Sequence, residues 1–430
     1  MRLPLDAGRW RRAPAAKAAA CEEKLITLAG LADTPVPKRF FDGTHRAVPP
    51  ADTLARIRPF ARAMGITRVG NITGLDRIGI PVAVAVRPNS RSVSVAQGKG
   101  LFLDQAKASA LMEACESFHA EEIAGVRRAA YREIASTETV ADPAELPAIG
   151  KRFEPGAPIG WFEGYDLLGR TACWLPAELV HSDYTREPDG FFAAGSNGLA
   201  SGNHLVEAVI AGVCEVIERD AIAVRRAGGF AAQASRRLDP TTIDDPACRV
   251  LLARYDAAAI EMRVWDATSD IGVPVFLCQI RDAAMGEAER LRRWHGAGCH
   301  PDRAVALSRA LTEAAQARLT YIAGVRDDLA LPEYADPPGA AIADALIDAL
   351  AAASPAVVFG EVAHFPSSDL AEDLRRILAR LRAVGVGRVV VCDLTRPDLG
   401  IPVVRVVIPG LEGDPRHPSY VPGRRAREAR

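Results

Sequence analysis

Between Ser196 and Ala223 the chain reads SNGLASGNHLVEAVIAGVCEVIERDAIA, a glycine-rich turn feeding a helix that is apolar almost all round apart from its acids. Glu207, Glu215 and Glu218 stand at i, i+8 and i+11, which at about 3.6 residues per turn puts them on nearly one side. Val209, Ala211, Val213, Val216 and Ile217 surround that line, so the helix is predicted to be buried. Three carboxylates on one buried line cannot all stay ionised without cations, because desolvation and mutual repulsion act in the same direction. Metal ions are the usual remedy, and hard oxygen ligands point to magnesium. The plainer alternative is a helix whose glutamates face solvent.

Two further stretches weigh against that alternative. Ala106 to Glu122, AKASALMEACESFHAEE, places Ser109, Glu113 and Glu116 at i, i+4 and i+7, again one face. Val305 to Ile322, VALSRALTEAAQARLTYI, carries Glu313 and Gln316 one turn apart, with Arg318 about 140° round from Glu313. Glu113, Glu215 and Glu313 recur at intervals of about 100 residues, as if one helical unit were repeated three times. Acids, amides and arginines from three distant helices suit a multi-metal phosphate site.

Composition bounds the rest. A chain of 430 residues can bury a large core, and its net charge of −1 creates no global field for nucleic acid or membrane. No run of apolar residues is long enough to span a bilayer. Eight cysteines show neither CxxC nor metal-ligand spacing, and are expected to be reduced thiols of a cytoplasmic protein. Cys115 and Cys214 lie inside the acidic helices, where packing is a better account than nucleophilic chemistry. Residues 1–37 are expected to be a disordered, basic tail and residues 38–430 one domain.

Strand signals at Ile66 to Val86, Arg91 to Val95, Trp161 to Tyr165, Thr171 to Leu175, Glu261 to Trp265, Val273 to Ile280, Arg388 to Leu394 and Val403 to Ile408 alternate with helical ones. The expected class is α/β (α+β), with acidic helices packed on β-sheets. A glycine-containing turn is expected at Gln97 to Gly100 and a break in the chain at Gly296 to His300, each ahead of an acidic helix. Gly98-Lys99-Gly100 is no P-loop, since GxxxxGK[ST] is absent; Lys99 is either a turn lysine or a neutraliser of phosphate. Arg46 reads as a loop cation, Thr53 and Asn203 as helix caps, and His300 as a structural or capping residue.

SxxxExxE at Ser109 to Glu116, NxxxE…ExxER from Asn203 to Arg219 and ExxQxR at Glu313 to Arg318 resemble the three ATP-binding motifs of the YcaO family, whose members activate peptide backbone amides with ATP. The likeness runs from about Lys38 to the C-terminus. It implies a YcaO-like fold around one ATP site, with ATP and Mg2+ as cofactors and a peptide or protein as substrate. Metal would sit on Glu113, Glu116, Glu207, Glu215 and Glu218, with Glu113, Glu116, Glu215 and Glu218 also catalytic. Arg46, Thr53, Ser109, Asn203, Arg219, Glu313, Gln316 and Arg318 would hold the nucleotide. Arg46 and Thr53 match a basic and a hydroxyl residue that the family places seven apart against the phosphates, and arginine can grip phosphate oxygens bidentately.

Azoline-forming members often end in a PxPxP run, which the tail from Ile408 to Arg430 lacks. That ending is more similar to relatives that work beside a TfuA-type partner and are linked to thioamides. The resemblance therefore implies amide activation leading to a thioamide. An azoline product or a non-catalytic ATP-binding accessory role stays open, as does a homodimer.

Overall fold

The computed structural model describes residues 23–282, 293–326, 340–353, 356–417 and 419–430. Residues 1–22 of the expected tail lie outside these. The rest of it is not a tail: residues 23–29 form a helix, and Leu28 and Leu31 are buried against the body of the protein. Lys24 Nζ donates to the carbonyls of Asp393 (3.1 Å) and Thr395 (2.8 Å), so this segment is tied to the far end of the chain. Two buried apolar side chains, Leu28 in this helix and Leu31 in the turn after it, outweigh the local basic composition.

Mixed helix and sheet is the observed class. Three sheets carry the chain, and every pairing between their strands is antiparallel. The first contains β1 (Arg68–Asn71), β2 (Val82–Val86) and β3 (Val95–Lys99) in sequence order. It follows helix α1 (Pro50–Ile57) and precedes α2 (Leu103–Ala120). The large sheet, in the order β4 (Arg127–Ala130), β5 (Pro158–Asp166), β11 (Val390–Asp393), β12 (Val403–Val407), β7 (Leu199–Ser201), has β6 (Thr171–Pro176) beside β5. The long central helix α3 (Leu205–Ala227) lies across β7 and β12.

The third sheet is made of β8 (Ile260–Asp266), β9 (Val275–Asp282) and β10 (Arg293–Cys299), again in sequence order. It follows α4 (Pro246–Ala257) and precedes α5 (Arg303–Ala323). Toward the end come α6 (Leu370–Ala383) and the short α7 (Arg424–Glu428). In α6, Leu370, Leu374, Ile377 and Leu381 are buried, while Arg375, Arg376, Arg380 and Arg382 stay on the wet side, as an amphipathic helix requires.

The expected turn and the expected break are both strand instead. Gly98 lies in β3 and Gly296 and Gly298 lie in β10. The glycines are there for contact rather than for bending. A Cβ on Gly98 would fall 2.2 Å from the carbonyl oxygen of Ala106, and one on Gly298 2.1 Å from that of Ala306. Each strand thus lies flush on the acidic helix that follows it. The strand expected at Arg91 to Val95 begins only at Val95.

Candidate functional site

The three acidic helices meet. α2, α3 and α5 wall a cavity of about 1360 Å3, closed on the other sides by the 43–53 segment, the 193–203 segment and residues 405–417. Of the residues expected at the site, Arg46, Thr53, Ser109, Glu113 and Glu116 line it, and so do Asn203, Glu207, Glu215, Glu218, Arg219, Glu313 and Gln316. Residues far apart in the chain are gathered because each helix turns one polar face toward the same space.

Arg318 is the exception and a correction to the expected nucleotide set. It does not line the cavity. Its guanidinium donates to Asp76 (2.8 Å) and Asp282 (2.9 Å), stacks over Trp294 (4.6 Å to the ring centre) and is only 3% exposed. Five residues past Glu313, it leaves the helix on a different side and fastens α5 to the segment before β2 and the end of β9.

The acids fall into two groups: those fixed by close partners in the protein, and those whose carboxyls burial raises. Glu207 is taken: its carboxylate accepts from the backbone of Ala47 (2.8 Å) and of Asn203 (3.4 Å), with Arg46 at 3.4 Å. That makes it the least suited of the five expected metal ligands. Asn203 is not the helix cap; His204 is, and the Asn203 amide donates to Thr53 Oγ1 at 2.9 Å, tying α1 to the start of α3. Thr53 itself lies inside α1, which begins at Pro50. Glu313 is taken as well: Lys99 Nζ sits 2.5 Å from its Oε2. Burial raises the Glu313 carboxyl, but Lys99, Arg219 and Arg309 override that and hold it well below the carboxylate range.

Glu113, Glu116, Glu215 and Glu218 form the other group. Burial, against the pull of Lys99 on Glu113 and of Arg219 on Glu215, pushes those two up to about 7; burial, with Glu113 and Glu215 nearby, pushes Glu116 up to about 8. Ser201 Oγ donates to Glu116 at 2.6 Å, which does not cancel the burial. Glu218 is raised too, again by burial first, and its Oε2 is buried without a hydrogen-bond partner. Arg219 stands against both α3 acids and Asp414, at 3.9 Å from Glu215, 3.3 Å from Glu218 and 3.7 Å from Asp414. With one guanidinium in direct contact with the group, these four carboxylates leave a surplus of hard oxygen donors. That surplus fits Mg2+, which takes one or two protein carboxylates and fills the rest of its shell with water and phosphate.

Sequence reasoning missed four cations of the wall, Arg309, Arg326, Arg405 and Arg416. Arg309 follows from a spacing that was legible: Arg309, Glu313 and Gln316 stand at i, i+4 and i+7 on α5. Arg405 had no such signal. It is 1% exposed on β12 and donates to Val180 O (3.2 Å), Asn197 O (2.9 Å) and Ser182 Oγ (3.0 Å). The seven cysteines among the described residues are buried and form no disulfide, and burial drives Cys115 upward, away from the thiolate. His300 accepts from Asp302 N at 3.0 Å, but the cap of α5 is Asp302, whose side chain accepts from Ala304 N. Among the described residues no helix is long and apolar enough to cross a membrane.

A family model described as YcaO cyclodehydratase, ATP- and Mg2+-binding, matches residues 97–412. An uncharacterized protein in the tfuA 3′ region of Rhizobium leguminosarum bv. trifolii is 39% identical over 387 residues, 87% of this chain and 90% of the relative. A protein of Methanothermobacter thermautotrophicus is 34% identical over 399 residues, 89% of this chain and 99% of that one. Among solved structures, YcaO from Methanopyrus kandleri bound with AMPPCP and Mg2+ is similar with a TM-score of 0.68 and 25% identity, covering 88% of this chain and 95% of that one. A heterocyclase in complex with substrate and cofactor has a TM-score of 0.71 at 24% identity over 88% of this chain. The chain spans about half of that heterocyclase, 54% of its length, and the likeness is one of fold.

Proposed function

The chain belongs to the YcaO family, and from that premise we propose that it spends ATP to activate a backbone amide of a peptide, leading to a thioamide with the help of a TfuA-type partner. The observation that carries this reading is the group of four acids, Glu113, Glu116, Glu215 and Glu218, facing one cavity, where among the described residues Arg219 is the one cation within 4.0 Å of any of them. The family's cofactors are ATP and Mg2+, and these four carboxylates would hold Mg2+, which would offset phosphate charge in phosphoryl transfer.

The protein's own residues then hold two reactants together. Arg46, Asn203, Arg219 and Gln316 reach the cavity from different walls and orient the triphosphate. Glu207 positions rather than ligates, because its oxygens fix Arg46 and the backbone at Ala47 and Asn203. Sulfide adds to the carbonyl carbon of the peptide bond, and the resulting oxyanion attacks the γ-phosphorus, releasing ADP. Phosphate then departs with the former carbonyl oxygen, and the carbon keeps sulfur. No protein nucleophile is needed, in keeping with the buried thiols.

The relative from a tfuA 3′ region supports the choice of partner. Intact-mass analysis of candidate peptides incubated with the protein, ATP, Mg2+, sulfide and a TfuA-type protein tests it. A gain of about 16 Da per site, sulfur for oxygen, is expected. A loss of about 18 Da, one water, would replace the thioamide by an azoline. No mass change with nucleotide still bound would leave an accessory role.

A further inference from the structure

The first and third sheets belong to two copies of one unit. α1–β1–β2–β3–α2 and α4–β8–β9–β10–α5 are each a helix, a three-stranded antiparallel meander in sequence order, and a long helix folded back on the last two strands. The register between them is fixed at a separation of 200 residues. β3 ends at Lys99 and α2 starts at Leu103; β10 ends at Cys299 and α5 starts at Arg303. A Cβ on Gly98 would strike Ala106 O (2.2 Å) and Ala110 N (2.1 Å), and one on Gly298 would strike Ala306 O (2.1 Å) and Ala310 N (2.7 Å). The same backbone atoms meet the same strand position in both copies. α3, by contrast, lies on the large sheet, so the repeat suggested by three acidic helices holds for two of them.

This register pairs Ser109 with Arg309, Glu113 with Glu313 and Glu116 with Gln316, and all six line the cavity. The first copy offers a hydroxyl and two acids that lack a close cation. The second offers a guanidinium, an amide, and an acid already neutralised by Lys99 of the first copy. The two faces have the same geometry and opposite chemistry.

We propose that Arg309 is a phosphate-binding residue, and that the duplication divides the site into a metal-holding face on α2 and α3 and a polyphosphate-holding face on α5. Arg309 stands among Glu215, Glu218 and Glu313, yet among the described residues no carboxylate comes within 4.0 Å of it. Its Nε is buried without a hydrogen-bond partner. A buried guanidinium donor left open is costly, and its planar fork matches two phosphate oxygens better than any neutral group on this wall. The protein keeps its own acids out of reach of Arg309, so the acceptor comes with the ligand.

The assignment rests on the ATP reading of the cavity, and one titration separates the two. Calorimetry on the full chain with Mg2+ compares a non-hydrolysable ATP analogue with adenosine, for the wild type, Arg309→Met and Arg309→Lys. Arg309→Met should weaken the ATP analogue about tenfold or more and leave adenosine within about twofold, since only phosphate contacts are lost. Should that variant misfold, Arg309→Lys keeps the charge but not the fork, and should still weaken the analogue several-fold with adenosine unchanged. Equal analogue affinity in a folded variant, with a wild type that binds, overturns the role of Arg309. A parallel loss for adenosine overturns it as well, because it means a general structural role. A wild type that binds neither ligand overturns the ATP reading and this assignment together.

Discussion

Lys99 and Glu313 meet across the cavity at 2.5 Å, although one closes a strand of the first unit and the other lies inside the helix of the second. The pair joins the two copies at the point where their faces must stay in register. Lys99→Met should cost about 1–3 kcal/mol by urea unfolding at neutral pH, moderated by Arg219 and Arg309 nearby. Because the Glu313 carboxyl is held low in the fold, that cost is full above the ordinary carboxylate range. It fades as pH falls towards the depressed value. A cost that persists unchanged in acid would assign it to packing of the lysine stem instead.

Glu215→Gln removes a charge that burial already opposes, on a helix face shared with Glu218. The ligand-free protein should therefore lose no stability, while ATP turnover with Mg2+ should drop about 100-fold or more. Full ATP consumption by the variant would remove Glu215 from the metal-holding set.

The raised acids set a pH dependence whose sign follows from their direction. Glu113 and Glu215 near 7 and Glu116 near 8 bind protons in the folded state that the unfolded chain has already released. Between about pH 4.5 and 8 the native state thus holds more protons, and stability falls as pH rises. Mg2+ needs the deprotonated forms, so its stabilising effect grows across the same interval. Thermal unfolding with and without Mg2+ from pH 5 to 8.5 checks both trends. An Mg2+ effect that is flat with pH would show that other groups bind the ion.

Arg318 shows what a motif match leaves undecided. It lies only two residues from Gln316, but the phase of α5 sends one side chain into the cavity and the other into a buried pair with Asp76 and Asp282. Arg318→Met should destabilise the protein by about 3 kcal/mol or more, because it strands the buried Asp76. The KM for ATP measured below the unfolding temperature should not move. A raised KM with unchanged stability would return Arg318 to the nucleotide set.

What could be seen in the sequence was what is periodic. The acid lines on α2, α3 and α5 are local, so their faces and their convergence were legible. Gly98 and Gly298 were misread as a turn and a break because a strand lying flush on a helix is a tertiary fact with no local signature. The helix at residues 23–29 was missed for the same reason, since Leu28 and Leu31 gain their partners only in the fold. Arg405 was out of reach altogether, for its three acceptors come from two other segments of the chain.

Those acceptors make the last case. Val180 and Ser182 precede the loop of residues 183–196 and Asn197 follows it, so a single guanidinium on β12 holds both ends. Tyr184, Ala193, Ala194, Gly195 and Ser196 of that loop line the cavity. Among the described residues Arg405 has no carboxylate within 4.0 Å, so its fork is committed to shaping the loop rather than to balancing charge. Arg405→Lys keeps a cation but cannot reach three acceptors at once, and should cost about 2–4 kcal/mol. Limited proteolysis should then cut within residues 184–195 several-fold faster than in the wild type, since local opening of the loop no longer has to break the clamp. A variant that loses stability with cleavage spread evenly along the chain would mean that Arg405 supports the sheet as a whole and not this loop.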